Sequence, residues 1–387
     1  MAAFGRPLLA LIVGQIGLHA CMAGIRLAAP LLALHEGHAA AAVGLLMALF
    51  AAAPIALAMQ AGRQADRHGY HRPMRIAVAL TGGGALLAWL ATFAGSLQFA
   101  LLCGAAALAG AGANFGLIAI QRTAGRAARD PIERKQVFSW LGLAPALANV
   151  VGPVAAGVLI DAAGYRSAFF ALLLLPLVTL WWARQVPVEP ARPAAAEDAA
   201  RAGALDLLLA PGMRRLLLVN WLLSTSWDLH GFLVPILGHE RGLSASAIGI
   251  VLGAFATAVA AVRLVIPLVA RRAREPQVLA AAMLWTAVVF GVYPFARGPW
   301  VMGACAVLLG LALGCVQPMV MSTLHHITPD ARHGEAIALR SMTINLSSTV
   351  MPLLFGAAGL ALGASALFWM MSASVAAGSW PARRVGA

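Results

Sequence analysis

The sequence predicts an all-α membrane protein of twelve transmembrane helices in two pseudo-symmetric six-helix bundles. Three observations carry that prediction. The 387 residues are 61% hydrophobic and only 11% charged, too apolar for a chain that must present a polar surface to water. Breaks at charged or turn-rich clusters leave twelve apolar stretches, near 7–34, 40–61, 74–94, 97–121, 136–160, 165–186, 213–238, 245–270, 277–296, 299–323, 335–358 and 361–381. Finally, the chain repeats itself. A shift of 205 lays Pro30 on Pro235, Gly37 on Gly242, Gly44 on Gly249 and Phe50 on Phe255, and a shift of 199 lays Pro153 on Pro352, Gly157 on Gly356, Gly164 on Gly363 and Phe169 on Phe368.

Each apolar stretch is about 20 residues or longer, enough to cross a hydrocarbon core of about 30 Å as a helix. Backbone groups in lipid must pair within their own segment, and the loops on the outer side are too short for a barrel, so helices are expected throughout. Residues 1–186 form the first expected bundle and 213–387 the second. The stretch 187–212, with Pro187, Pro190, Pro193, an alanine-rich run and mixed charges, reads as a flexible linker between them. Helices 3 to 5 carry Gly82, Gly83 and Gly84, then Gly104, Gly110, Gly112 and Gly116, then Gly142, Gly152 and Gly157. Small residues about a turn apart let membrane helices approach closely.

The basic residues orient the chain. Apart from Arg166, Arg241 and Arg297 on the opposite side, and Arg26 and Arg263 within helices, the 27 lysines and arginines fall in alternating loops and the two tails. Positive residues resist translocation, so both termini are expected in the cytoplasm of a bacterial cell, with the protein in the inner membrane. The net charge of +13 then belongs to the inner face, where it meets anionic headgroups. Nucleic-acid binding is excluded by the scatter of these arginines and the lack of interleaved aromatic residues. The four cysteines lie inside spans and show neither a disulfide framework nor metal-ligand spacing. No cofactor is expected, because Lys135, the sole lysine, lacks a phosphate-binding glycine loop.

Between the second and third spans stands Gly62-Arg63-Gln64-Ala65-Asp66-Arg67-His68-Gly69-Tyr70-His71-Arg72-Pro73. Gly62 reads as a close-packing position, Asp66 as an acceptor for a helix N-terminus, and Gly69 as a tight reversal. The segment resembles the G-x-x-x-D-R-x-G-R-R/K signature of the major facilitator superfamily, matching at Gly62, Asp66, Arg67 and Gly69, with Arg72 and Arg75 slightly displaced. The resemblance implies that fold, and it implies that Gly62, Asp66, Arg67, Gly69 and Arg72 form a cytoplasmic gate. The equivalent loop at 267–276 keeps Arg271, Arg272 and Arg274 but has Arg271 at the place of Asp66, so the gate is expected on one side only.

A second motif, Gly152-Pro153-Val154-Ala155-Ala156-Gly157 in span 5, is similar to the G-P-x-x-G-G element that the family's antiporters carry. Ala148 and Ala156 depart from it, and Ala106 and Ala109 replace the arginine and glutamine that drug/proton antiporters show in span 4. Pro153 reads equally well as a simple kink.

Gln15, His19, Met22 and Arg26 fall within about 60° of one face of helix 1. The repeat carries that stripe to Asn220, Ser224, Trp227 and Gly231 on helix 7, so the two helices are expected to line a cavity together. Asp228, beside the second stripe, is the only acidic residue placed within a predicted span. A carboxylate there must be protonated, paired or open to water. An Arg26–Asp228 contact is expected, either exchanging with a proton during transport or standing as a permanent ion pair. Asn114 on helix 4, Gln317 on helix 10 and Asn345 on helix 11 complete the expected cavity, each also serviceable as an interhelical hydrogen bond. Arg263 reads as snorkelling to the inner interface or as a solute ligand.

The whole pattern implies secondary active transport of a small organic solute by alternating access, proton-coupled and exporting, by a monomer. Proton-coupled uptake of an anionic or zwitterionic metabolite is the alternative. A polytopic enzyme and a channel remain as remote alternatives; His35-Glu36-Gly37-His38 has the wrong spacing for a helical zinc site.

Overall fold

Prolines and glycines punctuate the chain where helices start and stop. The computed structural model describes residues 5–127, 131–188, 204–269, 274–328 and 333–385. Those residues form α1 (Gly5–His35), α2 (Ala40–His68), α3 (His71–Ala91), α4 (Gln98–Ala127), α5 (Pro131–Ala183), α6 (Ala204–Leu209), α7 (Pro211–Glu240), α8 (Ala245–Val269), α9 (Glu275–Val292), α10 (Pro299–Gly314), α11 (Val316–Ile327) and α12 (His333–Ala382), with two short 3₁₀ turns and no strand among them. Proline stands in the opening turn of α7, α9 and α10, where its missing N–H costs nothing.

Chain ends of the helices repeat as faithfully as the sequence does. After α1, Gly37 takes φ +83°, its N–H reaches Leu34 O, and His38 N–H reaches back to Ala33 O. After α7, Gly242 takes φ +66° with Gly242 N–H to His239 O and Leu243 N–H to Gly238 O. Both are left-handed caps that close the last carbonyls of a helix, a conformation glycine enters without penalty. A second pair breaks the two longest helices: Gly164 in α5 and Gly363 in α12 both sit at φ 78°, so each of these helices is two helical segments joined at a glycine.

Nine stretches among the described residues are long and apolar enough to cross a membrane, with 141–183 counted once across its glycine break. α7 is not among them, because Asn220, Asp228 and His230 interrupt its apolar run. The expected tenth span is among them as Pro299–Leu324, with a single-residue turn at Cys315 dividing it into α10 and α11. Asp161 departs from expectation too, since α5 runs on through it to Gly164.

The chain divides into two compact units, one of residues 1–38, 45–196 and 244–253, the other of 39–44, 197–243 and 254–387. In the first, Leu11, Leu18, Tyr70, Met74, Phe115 and Leu141 make a buried cluster, and Gly110 lies against the carbonyl of Phe50. In the second, Gly310 lies against the carbonyl of Phe255. The phenylalanines that mark the repeat are therefore the backbone seats of the fourth and tenth spans, places where any Cβ would collide. Of the expected linker, Ala204–Leu209 form the short helix α6 and 211–212 open α7; residues 189–203 lie outside the described set.

Candidate functional site

In the first unit, α1 packs against α5 through its small residues: Gly14 O accepts from Thr179 Oγ1 at 2.9 Å, and Gly24 fits against Leu172 and the carbonyl of Gly152. That leaves the polar stripe on another face. Gln15, 1% exposed, donates Nε2–H to His19 Nδ1 at 3.2 Å, while its Oε1 has no hydrogen-bond partner. An amide nitrogen only donates, so this pair puts the imidazole proton on Nε2. Arg26 lies two turns further along, half-buried. On α4, Asn114 is half-buried.

In the second unit the equivalent amide, Asn220, is also 1% exposed and leaves Nδ2 without a partner. The repeat thus conserves a deeply buried amide with one unused polar atom at each of the two positions. Ser224 and Trp227 follow on α7, both half-buried, with Trp227 edge-on to Phe255 at 4.6 Å.

Asp228 is 4% exposed and set among hydroxyls. Ser348 Oγ lies 3.2 Å from Oδ1 and 3.0 Å from Oδ2, Ser347 Oγ lies 3.4 Å from Oδ2, and Thr225 Oγ1 is 2.9 Å from Ser347 Oγ. A hydroxyl rotates to donate to a carboxylate or to accept from a carboxylic acid. Ser347 and Ser348 therefore suit either protonation state, each charged hydrogen bond contributing about 1.5–3 kcal/mol when the group is ionised. Ser347 and Thr225 are additions to the expected site. Thr225 stands three residues before Asp228 and so on its face of α7, a signal available in the spacing.

Other candidates fall elsewhere. His230, also on α7, is 1% exposed, 4.5 Å from Phe255 between ring centres, with Nε2 3.2 Å from the hydroxyl of Tyr293, which itself stacks on Phe368. Arg263 donates from Nη2 to Gln317 Oε1 at 3.1 Å, just past the turn at Cys315. Asn345 is exposed on α12.

The expected gate segment is more helical than anticipated. Gly62 and Arg67 lie in the last turns of α2, and the reversal is confined to Gly69, at φ +67°, and Tyr70. Gly62 is a correction: nothing lies within 4 Å of a Cβ built there, so close packing is not its role. Arg72 donates back to His68 Nε2 at 2.6 Å, and His71 Nε2 donates to Val186 O at 2.9 Å, fastening the reversal to the end of α5. Tyr70 is fully buried beneath it, which pushes its phenol well above the usual range. The side chain of Asp66 and residues Arg271 and Arg272 lie outside the described set.

The helix 5 motif has a geometric content. Gly152 sits against Ala20 and Gly24 of α1, Gly157 against the carbonyl of Ala245, and Gly249 against the carbonyl of Pro153. In the second unit, Gly44 meets the carbonyl of Pro352 and Gly356 meets Ala41. The same glycine–proline packing is thus built twice.

The family model described as Major Facilitator Superfamily matches residues 11–216 and 216–383. No curated protein matches the chain. Among solved structures, a POT family transporter in complex with a thioalcohol-conjugated peptide aligns with a TM-score of 0.78 at 12% identity, covering 97% of this chain and 96% of its own. A mutant of the nucleoside transporter NupG aligns at 0.75 and 12% identity, covering 98% and 99%. A bacterial metal transporter aligns at 0.70 and 18% identity, covering 98% and 97%. At such identities the likeness speaks for the fold.

Proposed function

The chain belongs to the major facilitator superfamily, and from that premise we propose that it is a secondary active transporter exporting a small organic solute in exchange for protons by alternating access. The observation that carries this reading is the environment of Asp228, a carboxyl 4% exposed that meets the hydroxyls of Ser347 and Ser348, with Thr225 bonded behind Ser347. Hydroxyls serve the ionised and the protonated carboxyl alike, so Ser347 and Ser348 can keep their bonds to the group in either state. Arg26 is the cation proposed to trade places with that proton. The buried amides Gln15 and Asn220, with the flanking His19, Ser224 and Trp227, are the proposed solute ligands, joined by Asn114 and Asn345. Gln317 holds Arg263 at the turn in span 10 and shapes that wall. Gly62, Asp66, Arg67, Gly69 and Arg72 are the proposed cytoplasmic gate, with both termini on the same side of the inner membrane.

Proteoliposomes with an imposed pH gradient test the reading. Asp228→Asn is expected to abolish gradient-driven flux while solute exchange without a gradient persists. Undiminished driven flux in that variant removes Asp228 as the coupling group. Accumulation of solute on the same side as the incoming protons would establish uptake of an anionic or zwitterionic metabolite in place of export.

A further inference from the structure

From Leu18 to Ala33, the residues of α1 that are not buried are His19, Met22 and Arg26 alone. The second unit does the same by itself. From Leu223 to Gly238 of α7 only Ser224, Trp227 and Gly231 are not buried, and these are the positions that a shift of 205 assigns to the first three. Each helix thus has one accessible strip in one register. A strip that carries a histidine and an arginine inside a membrane-spanning helix meets a polar medium and not acyl chains.

At the strip of α1 stands the pair Gln15 and His19. The amide Nε2–H of Gln15 donates to His19 Nδ1 at 3.2 Å, while Gln15 Oε1 has no partner although the residue is only 1% exposed. That bond is the imidazole's only hydrogen bond among the described residues. The pair therefore leaves over one acceptor, Gln15 Oε1, and one donor, His19 Nε2–H. Turning the amide over exchanges the two roles and leaves the same sum of one donor and one acceptor. A buried amide atom without a partner is unfavourable, and a ligand that pairs with it removes that penalty.

The sum selects among solute groups. A carboxylate or phosphate satisfies His19 but turns its charge on the carbonyl of Gln15, and an ammonium does the reverse. A carboxamide, with N–H and C=O side by side, satisfies both. Arg26 lies about 10 Å along the helix from His19, beyond the reach of a group this small.

We propose that Gln15 and His19 bind an uncharged group of the carboxamide class on the transported solute, Gln15 Oε1 taking its N–H and His19 Nε2–H reaching its carbonyl. The assignment rests on the transport reading above and narrows its solute.

The test is equilibrium binding to the purified protein in detergent at neutral pH, read as saturable protection against thermal denaturation by millimolar benzamide, benzoate and benzylammonium, three probes of similar shape. Benzamide is expected to raise Tm saturably and the two ions to bind about tenfold more weakly or less. Gln15→Leu, which sets an apolar chain of similar size where an unpaired amide stands, should keep a Tm close to the parent's and weaken benzamide by about tenfold. His19→Gln, which again leaves one donor and one acceptor, should keep most of the affinity. The ranking of the three probes on the unaltered protein stands even if a variant does not fold. No saturable response to benzamide, an equal response to benzoate or benzylammonium, or full affinity in Gln15→Leu would each overturn the proposal. Benzamide protection in a protein without gradient-driven flux would remove the transport reading and leave the binding site, whereas driven flux without benzamide protection would do the opposite.

Discussion

The carboxylate of Asp161 receives the backbone N–H of Ser246 at 2.7 Å through Oδ2 while its Oδ1 takes that of Ala245 at 3.0 Å. Ser244 Oγ receives the N–H of Ala247 at 3.2 Å, so three of the orphan donors at the start of α8 are satisfied, two of them by a residue on α5. Both partners belong to the first unit. The repeat breaks here: a shift of 199 carries Asp161 to Leu360, and Ser244 and Ser246 stand where the first half has Ala39 and Ala41.

Asp161→Ala should therefore destabilise the protein by about 1–2 kcal/mol, the range of a lost cap plus a lost charge at a helix N-terminus. Asp161→Asn, which keeps one acceptor, should lose less. Thermal denaturation in detergent reads both. An alanine variant as stable as the parent would show that solvent replaces the cap at no cost.

Glycine contacts give a second, paired expectation. A Cβ at Gly249 would stand 2.5 Å from the carbonyl of Pro153, and one at Gly44 the same distance from that of Pro352. Alanine at either position should cost about 1–3 kcal/mol through overpacking against backbone that has no rotamer to yield. Alanine at Gly82 or Gly142, where nothing lies within 4 Å, should instead stabilise by roughly 0.4–1 kcal/mol. Matched Tm values across the four variants would mean that the packing is looser than the distances imply.

These same positions show how much was legible beforehand. Gly37, Gly164 and their partners Gly242 and Gly363 were readable because a turn needing positive φ admits little besides glycine, so the constraint survives in both halves. Gly44, Pro153, Gly157 and their partners were readable because close backbone approach is equally intolerant. Polar stripes on α1 and α7 follow from helical period alone. Hydrogen-bond partners did not: periodicity fixes the azimuth of a residue on its own helix, not which neighbour faces it, so Ser347 beside Asp228 and Tyr293 beside His230 emerge only in three dimensions. Gly62 misled for the complementary reason, since a glycine near a helix end reads as a packing site whether or not anything is packed there.

The hydroxyl shell of Asp228 sets a ranking. Ser348 reaches both carboxyl oxygens, at 3.2 and 3.0 Å, whereas Ser347 reaches one at 3.4 Å. Ser348→Ala should slow gradient-driven flux more than Ser347→Ala, and the double variant should fall by roughly tenfold or more if each charged hydrogen bond contributes about 1.5–3 kcal/mol. Flux in proteoliposomes at one fixed gradient, normalised to reconstituted protein, gives the order. The reverse order, or no loss in the double variant, would separate the serines from coupling.

His230 offers the contrasting case of a titratable side chain fitted for structure. It is 1% exposed, lies against Phe255, and shares its Nε2 with Tyr293, whose hydroxyl in turn reaches Met302 O at 3.4 Å. A ring so enclosed has little access to solvent, and charging it would require a counter-charge that Phe255 and Tyr293 against it do not supply. Tyr293→Phe should leave a buried imidazole nitrogen unsatisfied and cost about 1–3 kcal/mol of stability, lowering Tm. His230→Gln, which keeps a polar group toward Tyr293, should preserve gradient-driven flux and its pH profile even where Tm drops. A pH profile displaced by His230→Gln, with the protein still folded, would move this histidine from the packing of the second unit into the proton pathway.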